Sequence, residues 1–212
     1  MKRIRGVAVL CLLLGFGGYA FGQGNDAAQL KQWSKEYGFT AQFSPNSPNL
    51  IGQTTGRRLF DLEGQFSWVL LTSKHMALKY VGEIVPLAII HQRTEYYVDK
   101  NGKPAGSQQG GFTYAAGVNP LGLQLNFRRG HKWQPFVDGR GGLLYFTHDV
   151  PVPNSSQFNF TFHWGGGIQV FTGKKSSISF GYRFQHLSNA ETAPRNPGVD
   201  SNMIFFGMAW GR

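Results

Sequence analysis

The feature that most restricts the fold of this chain is a two-residue alternation of apolar and polar side chains. Residues 58–71 read RLFDLEGQFSWVLL. One phase of this segment carries phenylalanine, leucine and tryptophan, whereas the other carries carboxylates, an amide and a hydroxyl. Successive side chains of a β-strand point to opposite faces, while a helix would mix both sets on each face. The segment is therefore predicted to be a strand with one apolar face and one charged face.

The same alternation recurs along the chain. Strands are predicted at 37–46, 58–71, 76–90, 112–127, 132–147, 158–172, 176–188 and 200–211. Within 112–127 the phase slips near Asn119–Pro120, which predicts a β-bulge. Strands of this length, with aromatic residues on one phase and charges on the other, are typical of a small closed barrel. The predicted fold class is all-β, an eight-stranded antiparallel transmembrane β-barrel.

The polar phase and the connections favour a membrane barrel over a soluble one. A soluble barrel would enclose the apolar phase, but the polar phase here carries charges of both signs that could form a paired ionic interior: Asp61, Glu63, Lys79, Glu83, Asp138, Arg140 and Arg183. The predicted connections alternate long and short, as do the external loops and periplasmic turns of outer-membrane barrels. The loop 189–199 is then extracellular. The connection 91–111, rich in Gly, Lys and Gln, is expected to be a mobile loop.

The N-terminus has the pattern of an export signal. Three cations, Lys2, Arg3 and Arg5, precede the apolar run VAVLCLLLGFGG and a small-residue cleavage site. The predicted domains are a signal peptide at 1–22, a short periplasmic lead at 23–36 and the outer-membrane barrel at 37–212. The formal net charge is +10. For an exported protein this charge favours anionic lipid headgroups over nucleic acid as partner, although a basic surface that only aids solubility is an equal alternative.

A candidate catalytic group lies at the end of the seventh predicted strand, in FQHLSN. His186 and Ser188 share the outward, lipid-facing phase. Because they are two residues apart on a strand, their Cα atoms are expected to lie about 6.5–7 Å from each other. Asp200 begins the next strand, which returns antiparallel and should bring the carboxylate close to His186. A nucleophilic serine needs a base, and the base needs an orienting acid. Taken singly, each residue also has a structural explanation, as an interfacial histidine, a turn serine or a loop acid.

The string H-x-S-N-A, followed by N-P-G and an acid, resembles the lipid A deacylase family (PagL-type, often labelled acyloxyacyl hydrolase). Members of that family are eight-stranded outer-membrane barrels that cleave an ester-linked acyl chain from lipid A. They use a serine, a histidine and a glutamate on the outside of the barrel. The resemblance is strong over residues 186–200 and loose over the rest of the barrel. Two positions depart from the family pattern, since Asp200 replaces the glutamate and Glu191 stands where glycine is expected.

The resemblance implies a serine esterase of the bacterial outer membrane, without metal or other cofactor. Its catalytic residues would be His186, Ser188 and Asp200, and the oxyanion would be bound by the side chains or backbone of Asn189 and Asn196. The partner would be lipid A, as part of lipopolysaccharide in the outer leaflet. Three residues are expected to contact this substrate, Tyr182 and Phe184 beside the acyl chains and Arg195 at the phosphates.

Two other functional classes stay open at this stage. The chain could be a non-enzymatic outer-membrane barrel, structural or adhesive, whose long loops bind a partner. A soluble lipid carrier with an apolar lumen is a weaker alternative. The formation of a homodimer is also left open.

Overall fold

The structure of the chain is a computed structural model that describes residues 30–32, 34–98 and 101–211. The predicted signal peptide and most of the predicted lead lie outside the described residues. Within the lead, Leu30 is fully buried and packs with Val69, Ala77 and Phe171. The end of the lead therefore contributes an apolar contact to the barrel.

Eight of the strands in the described residues close into one antiparallel barrel. The strands are β1 (Lys35–Ser44), β2 (Arg58–Thr72), β3 (Met76–Gln92), β4 (Glu95–Val98), β5 (Pro104–Gln108), β6 (Gly111–Phe127), β7 (Trp133–Val150), β8 (Ser156–Phe171), β9 (Ser176–Ser188) and β10 (Val199–Trp210). The barrel order is β1-β10-β9-β8-β7-β6-β3-β2, and β4 and β5 form a separate two-stranded sheet. The predicted fold class is confirmed. Among the described residues, no helix has the length and apolarity needed to cross a membrane.

The eight predicted strands correspond to the eight barrel strands, with ends that differ by a few residues. The predicted bulge is present, because the pairing of β6 with β7 shifts register between Val118 and Leu121. Two connections differ in detail from the prediction. The connection 91–111 contains the β4–β5 hairpin, and the connection between β7 and β8 is short because both strands extend to Val150 and Ser156.

The two faces of the barrel divide apolar and charged residues as the alternation predicts. Large apolar side chains are exposed on the outer face of every barrel strand, Phe39, Trp164 and Phe206 among them. The lumen holds buried ion pairs. Arg183 lies 3.0 Å from Asp138 and 3.3 Å from Glu63, and Lys79 Nζ lies 2.9 Å from Glu36 Oε2. Arg140 pairs with Glu83 and also contacts Asp138.

Toward the end of the barrel that carries His186, a cluster of buried apolar side chains lies in the lumen. This cluster consists of Leu59, Val85, Ala88, Ile90, Ala115, Leu144, Phe146, Val150, Leu187, Val199 and Met203. Leu187 and Val199 belong to the two strands that carry the candidate catalytic residues. The strands that carry the candidate site are therefore anchored by buried apolar side chains on their lumen face.

We expect Arg183→Met to destabilise the barrel by about 3–5 kcal/mol, because it leaves the buried Glu63 and Asp138 carboxylates without one of their partners. The measurement is urea unfolding of the refolded protein in detergent micelles. Lys175→Met is the matched control, since it removes an exposed cation from the β8–β9 turn. Equal unfolding midpoints for the two variants would contradict the assigned role of the lumen ion pairs.

Candidate active site

The register between β9 and β10 places the candidate catalytic residues. Leu187 pairs with Val199, and both side chains are buried in the apolar cluster of the lumen. Side chains alternate along a strand, so burial of this pair turns the next pair, His186 and Asp200, to the outer face. The aspartate is thus directly opposite the histidine on the neighbouring strand.

His186 and Asp200 form a hydrogen-bonded pair. The His186 Nδ1 atom lies 2.7 Å from Asp200 Oδ1, and since a carboxylate can only accept, Nδ1–H is the donor. The histidine side chain is 19% exposed, whereas that of Asp200 is fully buried. Asp200 holds Nδ1 and so leaves Nε2 as the nitrogen that can act as a base. Directly opposite residues on antiparallel strands have Cα atoms about 4.5–5.5 Å apart, which explains why an aspartate is long enough.

Ser188 lies two residues beyond His186 on the same face of β9 and is half-buried. On the neighbouring strand β8 it is opposite Phe160, an exposed residue of the outer face. Within the described part of the chain, no hydrogen bond joins the Ser188 hydroxyl to His186. Catalytic hydrogen bonds are often long in the absence of substrate and close only in the complex. The structure therefore places the three predicted residues next to one another, and a hydrogen bond joins two of them, His186 and Asp200.

The β1–β2 loop, residues 45–57, covers the Asp200 carboxylate. The backbone N–H groups of Leu50, Ile51 and Gly52 donate to Asp200 Oδ2 over 2.8, 2.7 and 2.9 Å. We call these three groups the N–H cradle. Together with His186 they give the buried carboxylate four hydrogen-bond donors, which stabilises its ionised form. The strand pattern predicts a long connection here but not its contact with Asp200, because backbone N–H donors carry no residue signature.

The same loop is bonded to the β9–β10 loop, residues 189–198. The Gln53 N–H donates to Pro197 O over 2.6 Å, and the Thr54 N–H donates to Gly198 O over 3.3 Å. Gly198 has a φ of +63° and lies against the imidazole, since a Cβ at this position would be 2.9 Å from His186 Cε1. A residue with a side chain at 198 would strain the backbone and displace the ring.

Asn189 and Asn196 organise the β9–β10 loop. The Asn189 N–H donates to Asn196 Oδ1 over 3.0 Å, and Asn189 Nδ2 donates to Arg195 O over 2.8 Å. Asn196 Nδ2 donates to Glu191 Oε1 over 3.1 Å, and its second hydrogen has no acceptor in the part of the chain that the structure describes. Ala190 and Glu191 both have left-handed φ angles, +51° and +62°. The backbone at 191 thus adopts the conformation that the glycine of the family pattern would favour.

The three residues predicted to contact substrate differ in accessibility. Tyr182 is 46% exposed on the outer face and donates its hydroxyl to Asn202 Oδ1. Arg195 is exposed on the β9–β10 loop. Phe184 is on the outward phase but only 3% exposed, because it packs against neighbours that include Trp164, whose ring centroid is 6.0 Å away. Phe184 therefore packs beneath the surface instead of presenting a free face to lipid.

The described residues do not meet the requirements of a metal site. No group of three or more His, Cys, Asp or Glu side chains there is arranged to hold a metal ion.

The comparisons with known proteins concern the family and the fold of the chain. The sequence pattern of the family described as "Lipid A 3-O-deacylase (PagL)" matches residues 88–209, more than half of the chain. The crystal structure of the outer membrane enzyme PagL is similar in fold, with a TM-score of 0.57 and 18% identity over 80% of this chain and 97% of that chain. Neisserial surface protein A (NspA) gives a TM-score of 0.49 and 13% identity over 84% and 97%. None of the curated proteins matches the chain in sequence.

We expect Gly198→Ala to push the His186 imidazole away from Asp200, because the added Cβ meets Cε1 at 2.9 Å. The Nδ1–H proton of a strongly hydrogen-bonded histidine resonates at low field, so proton NMR of the refolded protein should show this signal lost or shifted. Gly130→Ala is the control. Gly130 also has a positive φ, +87°, but no atom within 4 Å of the added Cβ. An unchanged low-field signal in Gly198→Ala would argue against the contact.

Proposed function

The chain belongs to the lipid A 3-O-deacylase (PagL) family, and from this premise we propose that it is an outer-membrane hydrolase that releases an ester-linked acyl chain from lipid A. One observation carries the proposal for this chain's own residues. The Nδ1–Oδ1 hydrogen bond of 2.7 Å orients His186 on the same outer face as Ser188. This is the arrangement of base, acid and hydroxyl that a serine esterase requires.

The proposed reaction is acyl transfer to Ser188 followed by hydrolysis. Nε2 of His186 accepts the hydroxyl proton as Ser188 Oγ attacks the ester carbonyl carbon. The protonated imidazole then returns the proton to the leaving sugar oxygen, and a water attacks the acyl-enzyme by the same route in reverse. Asp200 keeps the proton on Nδ1 and stabilises the imidazolium that forms. The products are a free fatty acid and a lipid A with one more free hydroxyl.

The negative charge that develops on the carbonyl oxygen needs donors at the rim of the barrel. Asn196 Nδ2 is best suited to this role, because one of its hydrogens is directed to Glu191 and the other has no acceptor among the described residues. Asn189 is almost fully buried, and its amide group bonds the loop backbone. We therefore assign Asn189 to loop structure and Asn196 to oxyanion binding.

The outer face of the barrel suits a substrate that lies in the outer leaflet. A lipid ester at the level of Ser188 would have its acyl chains beside exposed aromatic side chains such as Tyr182 and Phe160. The exposed cation Arg195 is on the neighbouring loop, where it can approach a phosphate of the lipid A headgroup. The placement of the base and nucleophile on the lipid side, away from the lumen, is what such a substrate requires.

We expect Ser188→Ala and His186→Ala each to lower kcat by at least about 10³-fold, because the nucleophile and its base act as a unit. The measurement is release of fatty acid from purified lipopolysaccharide by the refolded protein. Mass spectrometry of the remaining lipid A identifies the chain removed, for which the 3-O position is expected from the family. Ser179→Ala, on the same strand, is the control and should retain activity.

Two results of this experiment would count against the proposal. No fatty acid release by the unaltered protein would favour the non-enzymatic, structural or adhesive barrel. Release that is retained in Ser188→Ala would refute the serine as nucleophile.

We expect Asn196→Asp to lower kcat by about 10²–10³-fold with little change in KM, because it removes the oxyanion donor. The variant is made in a Glu191→Gln background and compared with Glu191→Gln alone, because Asn196 Nδ2 donates to Glu191 Oε1 and a carboxylate at 196 would otherwise face that of Glu191. Its Oδ1 atom can still accept the Asn189 N–H. Steady-state kinetics on lipopolysaccharide separate the two parameters. Asn189→Ala should instead destabilise the loop, which would be seen as faster proteolysis. If Asn189→Ala lowered kcat as much as Asn196→Asp without faster proteolysis, the roles assigned to the two asparagines would be exchanged.

A further inference from the structure

We propose that the β1–β2 loop is a positioning element of the active site, whose N–H cradle fixes the Asp200 carboxylate where it can orient His186. Its effect on rate rests on the proposed function, whereas its effect on the His186–Asp200 hydrogen bond does not. The loop lies outside residues 88–209, the part of the chain that matches the family.

The two oxygens of Asp200 have separate partners. Oδ2 accepts all three hydrogen bonds of the N–H cradle, whereas Oδ1 accepts the hydrogen bond of His186. Three successive N–H groups that converge on one oxygen form a concave anion site. Because one oxygen is held by the backbone, the carboxylate cannot rotate freely, and the other oxygen is presented to the imidazole in a fixed direction.

Burial makes this backbone contact necessary. Asp200 is on the lipid-facing phase of β10 but is fully buried, and a buried carboxylate without hydrogen bonds is strongly destabilised. Lumen carboxylates such as Asp138 are paired with arginines. In the described part of the chain Asp200 has no arginine or lysine partner, so the cradle and His186 supply its donors.

The loop is held by its backbone rather than by apolar side chains. Leu50 is 70% exposed and Ile51 is 60% exposed, so neither side chain anchors the loop in the barrel. The backbone fastens the loop through the Asp200 contacts and through the bonds from the 53 and 54 N–H groups to the β9–β10 loop, and the Arg57 side chain adds a hydrogen bond to Pro151 O over 3.2 Å. Gly52 fits this junction closely, since a Cβ there would be 2.9 Å from Gly198 C and Val199 N. A side chain at 52 would therefore lift the cradle away from Asp200.

The first test is Gly52→Ala in the full refolded protein. We expect the low-field proton of His186 Nδ1 to shift or disappear, and kcat on lipopolysaccharide to fall about 10- to 100-fold with KM little changed, since a misplacement of about 1 Å can cost about 100-fold. Thr55→Ala is the matched control. Thr55 is exposed in the same loop, and its substitution leaves the three cradle donors in place.

The second test is Ile51→Pro, which removes one of the three cradle donors at an exposed position, leaves Asp200 unchanged and covers the case in which Gly52→Ala does not fold. Because proline has no backbone N–H, Asp200 Oδ2 keeps two of its three donors, so we expect the low-field proton to shift and kcat to fall in the same direction as in Gly52→Ala. A normal low-field proton and normal kcat in either folded variant would overturn the proposal. If the unaltered protein releases no fatty acid, the proposed function fails, and the proton signal alone decides whether the cradle holds Asp200.

Discussion

The pairing of Leu187 with Val199 is the contact on which the candidate site depends. Both side chains are buried in the apolar cluster of the lumen, and this burial fixes the register of β9 against β10. A slip of one residue would turn the lumen residues of one strand outward and would separate Asp200 from His186. In a closed barrel such a slip would have to propagate around every strand. Arg183 adds a second constraint on the register of β9, because its ion pairs with Asp138 and Glu63 require its side chain to point into the lumen.

The barrel stabilises its buried carboxylates in two different ways. In the lumen, Glu63, Glu83 and Asp138 are matched by arginines, so charge compensates charge. On the outer face, Asp200 is matched by backbone N–H groups and by the His186 imidazole. The difference has a chemical consequence. In the proposed reaction, a carboxylate already neutralised by an arginine would stabilise a new imidazolium less than Asp200, whose negative charge is not offset by an arginine or lysine among the described residues.

Much of this arrangement could be predicted from the sequence. The two-residue period identified the strands, the spacing of His186 and Ser188 placed both on one face, and the antiparallel return brought Asp200 to His186. The N–H cradle could not be predicted in the same way, because its donors are backbone groups about 150 positions away in sequence and carry no residue signature. Burial of Phe184 also escaped prediction, since it depends on which residues of β8 and β10 lie beside it. The β4–β5 hairpin was missed because PAGSQ has no apolar alternation.

The aspartate at position 200 and the β1–β2 loop are best understood as one structural solution. A glutamate, the acid of the family pattern, has an extra methylene and can reach a histidine from a looser position. An aspartate has a short reach, so the strand register must place it directly opposite the ring, and its second oxygen then lies close to the backbone of its surroundings. That oxygen faces the β1–β2 loop, which supplies three donors to it. The shorter acid is thereby held from both sides, by the imidazole through Oδ1 and by the loop through Oδ2, and loses the rotational freedom that a longer side chain would keep.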